Sequence, residues 1–593
     1  MPCWETIVSN NTYDFIVTRD ELKNLRIEPI CMQPINAEYS VVYYDRTILP
    51  PLSIQDYSYT SIPKCFFLMD STSLDVSGIL AIQNQPGLSL KGQGILIGLI
   101  DTGIDYTNPL FQDSAGNTRI MSIWDQSVNP SSLENGTTVK QDASPEGFLY
   151  GIEYTKEQIN QALASESPRQ IVPVTDENGH GTFLASVVAG SEDKTNDFIG
   201  AVPLSELVVV KLKEAKQNLR DFFFLPADEP IYQENDIMAG MAYLEAVADR
   251  ENKPLVIVLS LGSNQGSHVG TDPLSAYMNT VGSYVGRTIV VAAGNQAAAQ
   301  HHFYGEAKNT LNPVRVEINI GENVDGFCME LWSFAPELVR VVLQSPTGQL
   351  SRGDFPISED TQTTKFVFEN TTVTTNYRVA GRQRGDLLVF FRFIRPASGI
   401  WTLLVYPEHA ITGAFHVWLP IQVRAQGERP PQDSGLPQNA GTAQVPQRRP
   451  PIVFIQPDPD TTITTPSAAN ISIAVGGYNA LTEARYLESG RGFDAIGRVK
   501  PEMCAPAVSV SGTGLRGNYV TYTGTSAAAA ITAGAAAQVL EWGILQGNAP
   551  AMNSVEVKNL LIRGCQREEN RTYPNTEWGY GRLDVYNSFE NLR

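Results

Sequence analysis

Three polar residues, far apart along the chain, are of the types that together perform acyl transfer. Asp101 stands in LIDTGID, His180 between two glycines in NGHGTFLASVVAG, and Ser526 in YTGTSAAAAITAGAAAQVLEW. A serine hydroxyl is a weak nucleophile until a base takes its proton. A neutral imidazole can be that base, and a carboxylate can orient the ring and stabilise its charged form. Each residue also has a plainer reading. An aspartate at a strand end is often a turn or cap residue, and Asp105 is a second carboxylate close by. A histidine between glycines can be a surface residue, and Ser526 can be a helix N-cap and nothing more. The three together, in the order Asp, His, Ser, outweigh those readings. Asn295 follows Ala-Ala-Gly at the end of an apolar run, where its amide could donate to an oxyanion.

Other chemistries find less support. His301 and His302 are adjacent, but no carboxylate or cysteine ligand pattern accompanies them, so no metal is expected, and no cofactor either. Cys3, Cys31, Cys65, Cys328, Cys504 and Cys565 form no CxxC pair and read as buried free thiols, a disulfide framework being the weaker option. A net charge of −20 and a pI near 4.8 argue against nucleic acid or an anionic membrane as partner. MPCWETIVSNNTYDF has no basic segment followed by an apolar one, so no secretory signal is expected. No uncharged apolar run reaches the roughly 18 residues of a membrane span. The expectation is a chain made as a soluble intracellular protein.

The motifs need elements to hold them. At 593 residues the chain has room for two to four domains. Residues 1–60 carry weak patterns and read as a small separate module. From residue 93 the runs GQGILIGLI, ELVVVKL, PLVIVLSLG and RTIVVAAGN read as buried parallel strands, with helical patterns over 234–253 and 272–286 between them. That alternation predicts an α/β fold with a parallel sheet, whose sites lie beyond the carboxyl ends of the strands. Asp101, Gly262 and Asn295 stand at such ends. From about residue 313 to 423, seven or eight short strands with no helix between them predict an all-β insertion. Residues 424–451, rich in Pro, Gln, Gly and Arg, read as a loop. The α/β pattern resumes with ISIAVGGY and ends in the alanine-rich helix after Ser526.

DTGID, NGHGT and GTSAAAA closely resemble the Asp, His and Ser signatures of the subtilase family of serine peptidases. Ser260-Leu261-Gly262 resembles that family's strand for substrate backbone, and Ala293-Gly294-Asn295 its S1 wall and oxyanion donor. Ala530 departs from the pattern, since many subtilases carry proline four residues after the nucleophile. A narrower resemblance, to the Csp germination proteases of spore formers, rests on NQGSHVG, SIPK, IWTLLVYPEHAITGAFHVWLP, PDPDTTITTPSAAN and the β insertion.

The resemblance implies a subtilisin-like parallel sheet flanked by helices over 61–312 and 452–593, a small α+β prodomain over 1–60 and an inserted jelly roll over 313–423. It implies catalysis by Asp101, His180 and Ser526 and self-cleavage near Thr60–Ser61. It further implies a protein substrate, the proform of a spore-cortex hydrolase, and a spore-associated location in the cortex or coat region. The partners it implies are the chain's own prodomain and pseudoprotease relatives. Two rivals stay open: a general degradative subtilase and a non-catalytic signalling pseudoprotease.

Overall fold

In the computed structural model, which describes residues 3–25, 27–68, 77–85, 87–128, 144–227, 229–353, 361–380, 385–422 and 452–592, the apolar runs join in one eight-stranded sheet. Its order is Met503–Pro506, Ile473–Tyr478, Arg287–Ala292, Leu255–Leu259, Leu96–Asp101, Glu206–Lys211, Ile120–Asp125 and Ile152–Thr155. Neighbours are parallel except for the last pair. Parallel strands need cover on both faces, and every residue of Leu96–Asp101 is buried. Successive side chains enter opposite cores, with the two-residue period of a strand. Ile97 and Leu99 pack with helices His180–Ala189 and Thr525–Leu540. Leu96 and Ile100 pack on the other face, with Glu234–Glu251 and Pro273–Gly282.

All of Thr525–Leu540 is buried. With its continuation to Leu545 it is long and apolar enough to cross a membrane by length and composition, but here it is a core helix. Its small side chains let neighbours come close. A Cβ on Gly534 would lie 2.2 Å from the Cβ of Ala201, so glycine is needed there.

The N-terminal residues do not stand apart. Strands Thr12–Thr18, Tyr39–Asp45 and Cys31–Pro34 form an antiparallel sheet with Tyr39–Asp45 central. One face, with Ile16, Val41 and Tyr43, packs on helix Glu234–Glu251. The other, with Phe15, Val42 and Tyr44, shares a core with Phe222, Phe223, Leu388 and Phe390. A buried ion pair, Lys216 with Asp14, crosses this seam. Two cysteines depart from the free-thiol reading: Cys3 and Cys31 are disulfide-bonded, while Cys65, Cys328, Cys504 and Cys565 are free and buried. Spacing along the chain does not reveal that helix Cys3–Val8 packs beside strand Cys31–Pro34.

The insertion is a β-sandwich. Its described strands form sheets of six and four that share one core, with Phe327, Met329 and Val389 meeting Val316, Trp401 and Leu403. It starts earlier and ends later than 313–423, because His302–Glu306 pairs with Ala414–Trp418 and Ile452–Phe454 with Val314–Ile320. The 424–451 loop lies outside the described residues.

Three buried histidines sit at the sandwich's edge. His301 donates from Nδ1 to Gln296 Oε1 (2.9 Å) and accepts at Nε2 from Gln422 (3.2 Å). His302 donates from Nδ1 to the Asp458 carbonyl (3.2 Å), so its Nε2 accepts from His416 Nδ1 (2.9 Å). These bonds require His301 and His302 to be neutral, because each accepts at Nε2. Burial lowers His301 to about 4 and His416 to about 3, and burial with the His416 neighbour holds His302 well below its usual value. An unfolded histidine titrates near 6.5, so below that pH the unfolded chain binds more protons. This contribution is complete above pH 6.5 and is lost as pH falls towards 4. It amounts to on the order of 3 kcal/mol for His301. Thermal unfolding at stepped pH should show the melting temperature dropping through that window. His416→Gln, whose amide can still donate to His302, should flatten the drop; an unchanged profile would refute the assignment.

Candidate active site

Asp101 ends its strand at the carboxyl edge of the sheet and is 1% exposed. His180 opens helix His180–Ala189 directly after Gly179, whose φ of +90° suits glycine. Ser526 is the second residue of Thr525–Leu540. The sheet edge brings the three side chains together. His180 Nδ1 lies 2.8 Å from Asp101 Oδ1, and its Nε2 lies 3.2 Å from Ser526 Oγ. With the Nδ1 proton given to the carboxylate, Nε2 is free to accept from the hydroxyl. Asp101 Oδ1 also accepts from the Thr102 amide at 2.8 Å. Gly181 makes the approach possible, since a Cβ there would stand 2.2 Å from the Gly103 carbonyl. Asp105 is engaged elsewhere, with Arg169 at 2.8 Å.

Asn295 lies just past strand Arg287–Ala292. Its Oδ1 accepts from both the Thr525 amide and the Thr525 hydroxyl, each at 3.1 Å. The same hydroxyl accepts from the Gly294 amide at 3.1 Å. With the oxygen engaged in this way, the side-chain amide nitrogen of Asn295 is left as its donor group. Ala293 and Gly294 are fixed by backbone bonds, from Thr464 to Ala293 (3.0 Å) and from Gly490 to Gly294 (2.7 Å). The Ser260 hydroxyl donates to the Ser526 carbonyl at 3.4 Å. Such an arrangement can remove a proton from Ser526 and stabilise an oxyanion beside it.

Leu261–Gly262 is paired. Strand Cys65–Leu68 runs antiparallel to it, with Leu261 opposite Leu68 and Gly262 opposite Phe67, and its other edge meets Tyr232–Gln233. Ser526 is fully buried. Thr60 and Ser61 lie upstream, in the one-turn helix Tyr59–Ser61 rather than along this edge. That turn is tied down: Tyr59 OH donates to Glu330 at 2.6 Å, and Lys64 Nζ donates to the Tyr59 and Ile62 carbonyls at 2.9 and 2.8 Å. Among the described residues no group of three or more His, Cys, Asp or Glu side chains could hold a metal.

The sequence reading passed over Thr102, Asp176, Thr182 and Thr525. Thr525 adjoins the serine and Thr102 the aspartate, so adjacency to the motifs was the one signal available. Asp176 stands two residues before the NGHGT motif, but the turn that brings its carboxylate back to Thr102 and Thr182 is not displayed by the sequence.

The match to the model of the subtilase family covers residues 92–317 and 451–581, the two stretches that hold the eight-stranded sheet and extend into the outer strands of the sandwich. Of solved structures, the CspB protease of Clostridium perfringens is 30% identical, with a TM-score of 0.71 over 87% of this chain and 96% of that one. The subtilisin-like protease SBT3.10 of Arabidopsis thaliana is 32% identical over 100 residues, a stretch that spans 17% of this chain and 13% of that protein. A parallel sheet with Asp101, His180 and Ser526 gathered at one edge, and a family match over both of its chain segments, make this chain a member of the subtilase family.

Proposed function

We propose that the protein is a serine endopeptidase that cleaves its own N-terminal segment and then activates another protein by limited proteolysis. The observation that carries this reading is the relay from Asp101 through His180 to Ser526, at 2.8 and 3.2 Å. Ser526 attacks a peptide carbonyl while His180 takes its proton, and Asp101 stabilises the imidazolium. Asn295 and the Ser526 amide receive the oxyanion. His180 then protonates the leaving amine, and water releases the acyl-enzyme. The S1 wall is formed by Ala293 and Gly294.

The resemblance to the Csp proteases supports a substrate class. It favours the proform of a spore-cortex hydrolase, cut during germination, and a spore-associated location. The prodomain, a small α+β unit, serves as the first substrate, and the jelly-roll sandwich steadies it. A second reading draws on the closed cleft. With Cys65–Leu68 along Leu261–Gly262, the protein can act as a shut, non-catalytic signalling relative until that strand leaves.

The strand along the cleft edge supports a position for self-cleavage. An extended substrate adds as a strand to such an edge, and its cut bond follows the paired residues. The cut therefore lies within a few residues after Leu68, downstream of Thr60–Ser61. N-terminal sequencing of purified protein should give a mature start beyond Leu68, and Ser526→Ala should remain one chain. A start at Ser61 would refute the position, and a cut in Ser526→Ala would refute self-cleavage. Asn295→Leu, assayed for rate of self-cleavage, should be slowed about 10²–10³-fold, the loss seen when subtilisin's own oxyanion asparagine is removed. A wild-type rate would remove Asn295 from the mechanism.

A further inference from the structure

Helix His180–Ala189 has a capping problem. Its N-cap is Gly179, which has no side chain to accept the first free N–H groups. The work is done by Asp176, which is 4% exposed and comes from the loop ahead of the helix. Its Oδ1 accepts from the amides of Gly179 (2.8 Å) and Asn178 (3.2 Å). Its Oδ2 accepts from the Thr182 amide (2.9 Å) and the Thr182 hydroxyl (2.7 Å). A fifth bond reaches across to the sheet: the Thr102 hydroxyl donates to Oδ1 at 2.8 Å. No cation pairs with this carboxylate among the described residues, so these five bonds balance a buried charge.

Thr102 closes the circuit. Its hydroxyl accepts from the Gly181 amide at 3.0 Å, and its own amide donates to Asp101 Oδ1 at 2.8 Å. Thr182 adds a second tie, accepting from the Asp105 amide at 2.9 Å. The residue after Asp101 and the residues flanking His180 thus meet on one carboxylate. Strand end and helix start belong to different elements, 79 residues apart in sequence, and this circuit of hydrogen bonds joins them directly beside the Asp101–His180 contact.

We propose that Asp176, acting through Thr102, is a positioning residue that holds Asp101 and His180 at working distance. The proposal rests on reading Asp101, His180 and Ser526 as a catalytic relay, and neither Asp176 nor Thr102 touches substrate. Loss of the brace lengthens the Asp101–His180 contact and slows the chemical step, while the substrate edge at Leu261–Gly262 keeps its shape.

A peptidyl fluorophosphonate that labels Ser526 separates the two effects, through its maximal labelling rate and its half-saturating concentration. Thr102→Val and Asp176→Asn should each lower the maximal rate at least tenfold and leave the half-saturating concentration within twofold. The double variant should be no slower than the slower single one, because both changes break one unit. Thr102→Ser, which keeps the hydroxyl, should restore a near-wild-type rate. Should Asp176→Asn fail to fold, the Thr102 pair decides the question. Unchanged maximal rates in the variants, a change confined to the half-saturating concentration, or no recovery in Thr102→Ser would each overturn the brace. All labelling is run on protein freed of the strand along Leu261–Gly262, and such wild-type protein left unlabelled at Ser526 would instead overturn the relay on which the brace rests.

Discussion

The close fit of one alanine-rich helix under the sheet governs the placement of everything else. Thr525–Leu540 enters the core with every residue buried, and Gly534 lets it touch the chain at Ala201. A bulkier helix would stand farther off, and close-packed interiors do not absorb such a change locally. Its first turn carries both Ser526 and Thr525. Fixing the helix therefore fixes Ser526 and the residue that holds Asn295 at the same time.

The same packing logic extends outward. The N-terminal sheet buries both faces, one on helix Glu234–Glu251 and the other against the sandwich and Phe222–Phe223. Three parts of the chain thus share one apolar cluster, and polar contacts are drawn into it. Glu330 of the sandwich accepts from Tyr59, from the Gly266 amide and from Trp332, at 2.6, 3.0 and 3.0 Å. Burial raises the Glu330 carboxyl, and the three donors oppose that rise. Tyr59 is held by Glu330 and Lys64 by the Tyr59 and Ile62 carbonyls, and directly after them Cys65–Leu68 becomes the middle strand of a three-stranded sheet. The sandwich lies remote from Asp101 and His180 in sequence, yet through Glu330 it anchors the turn that leads into the strand along Leu261–Gly262.

Much of this was legible in the residues alone. The parallel strands, the two main helices and the residues Asp101, His180 and Ser526 that meet at the sheet could be read because each is signalled locally, by an apolar run or by a small-residue motif. Asp101 was separable from Asp105 by its place at the strand end, and the structure engages Asp105 with Arg169 instead. The insertion's class was readable from its alternating strands. Its edges were not, because His302–Glu306 and Ile452–Phe454 are strands only through their partners Ala414–Trp418 and Val314–Ile320.

By itself the sequence determined the α/β fold class and the family, and it singled out Asp101, His180 and Ser526, since these follow from residue type, period and motif. Tertiary structure decided which cysteines meet, which strand fills the cleft and which carboxylate braces His180. Cys3 with Cys31, Leu68 with Leu261, and Asp176 with Thr102 are contacts between segments that carry no mark of one another. Such pairings are products of how the cores pack, and a linear pattern holds no record of them.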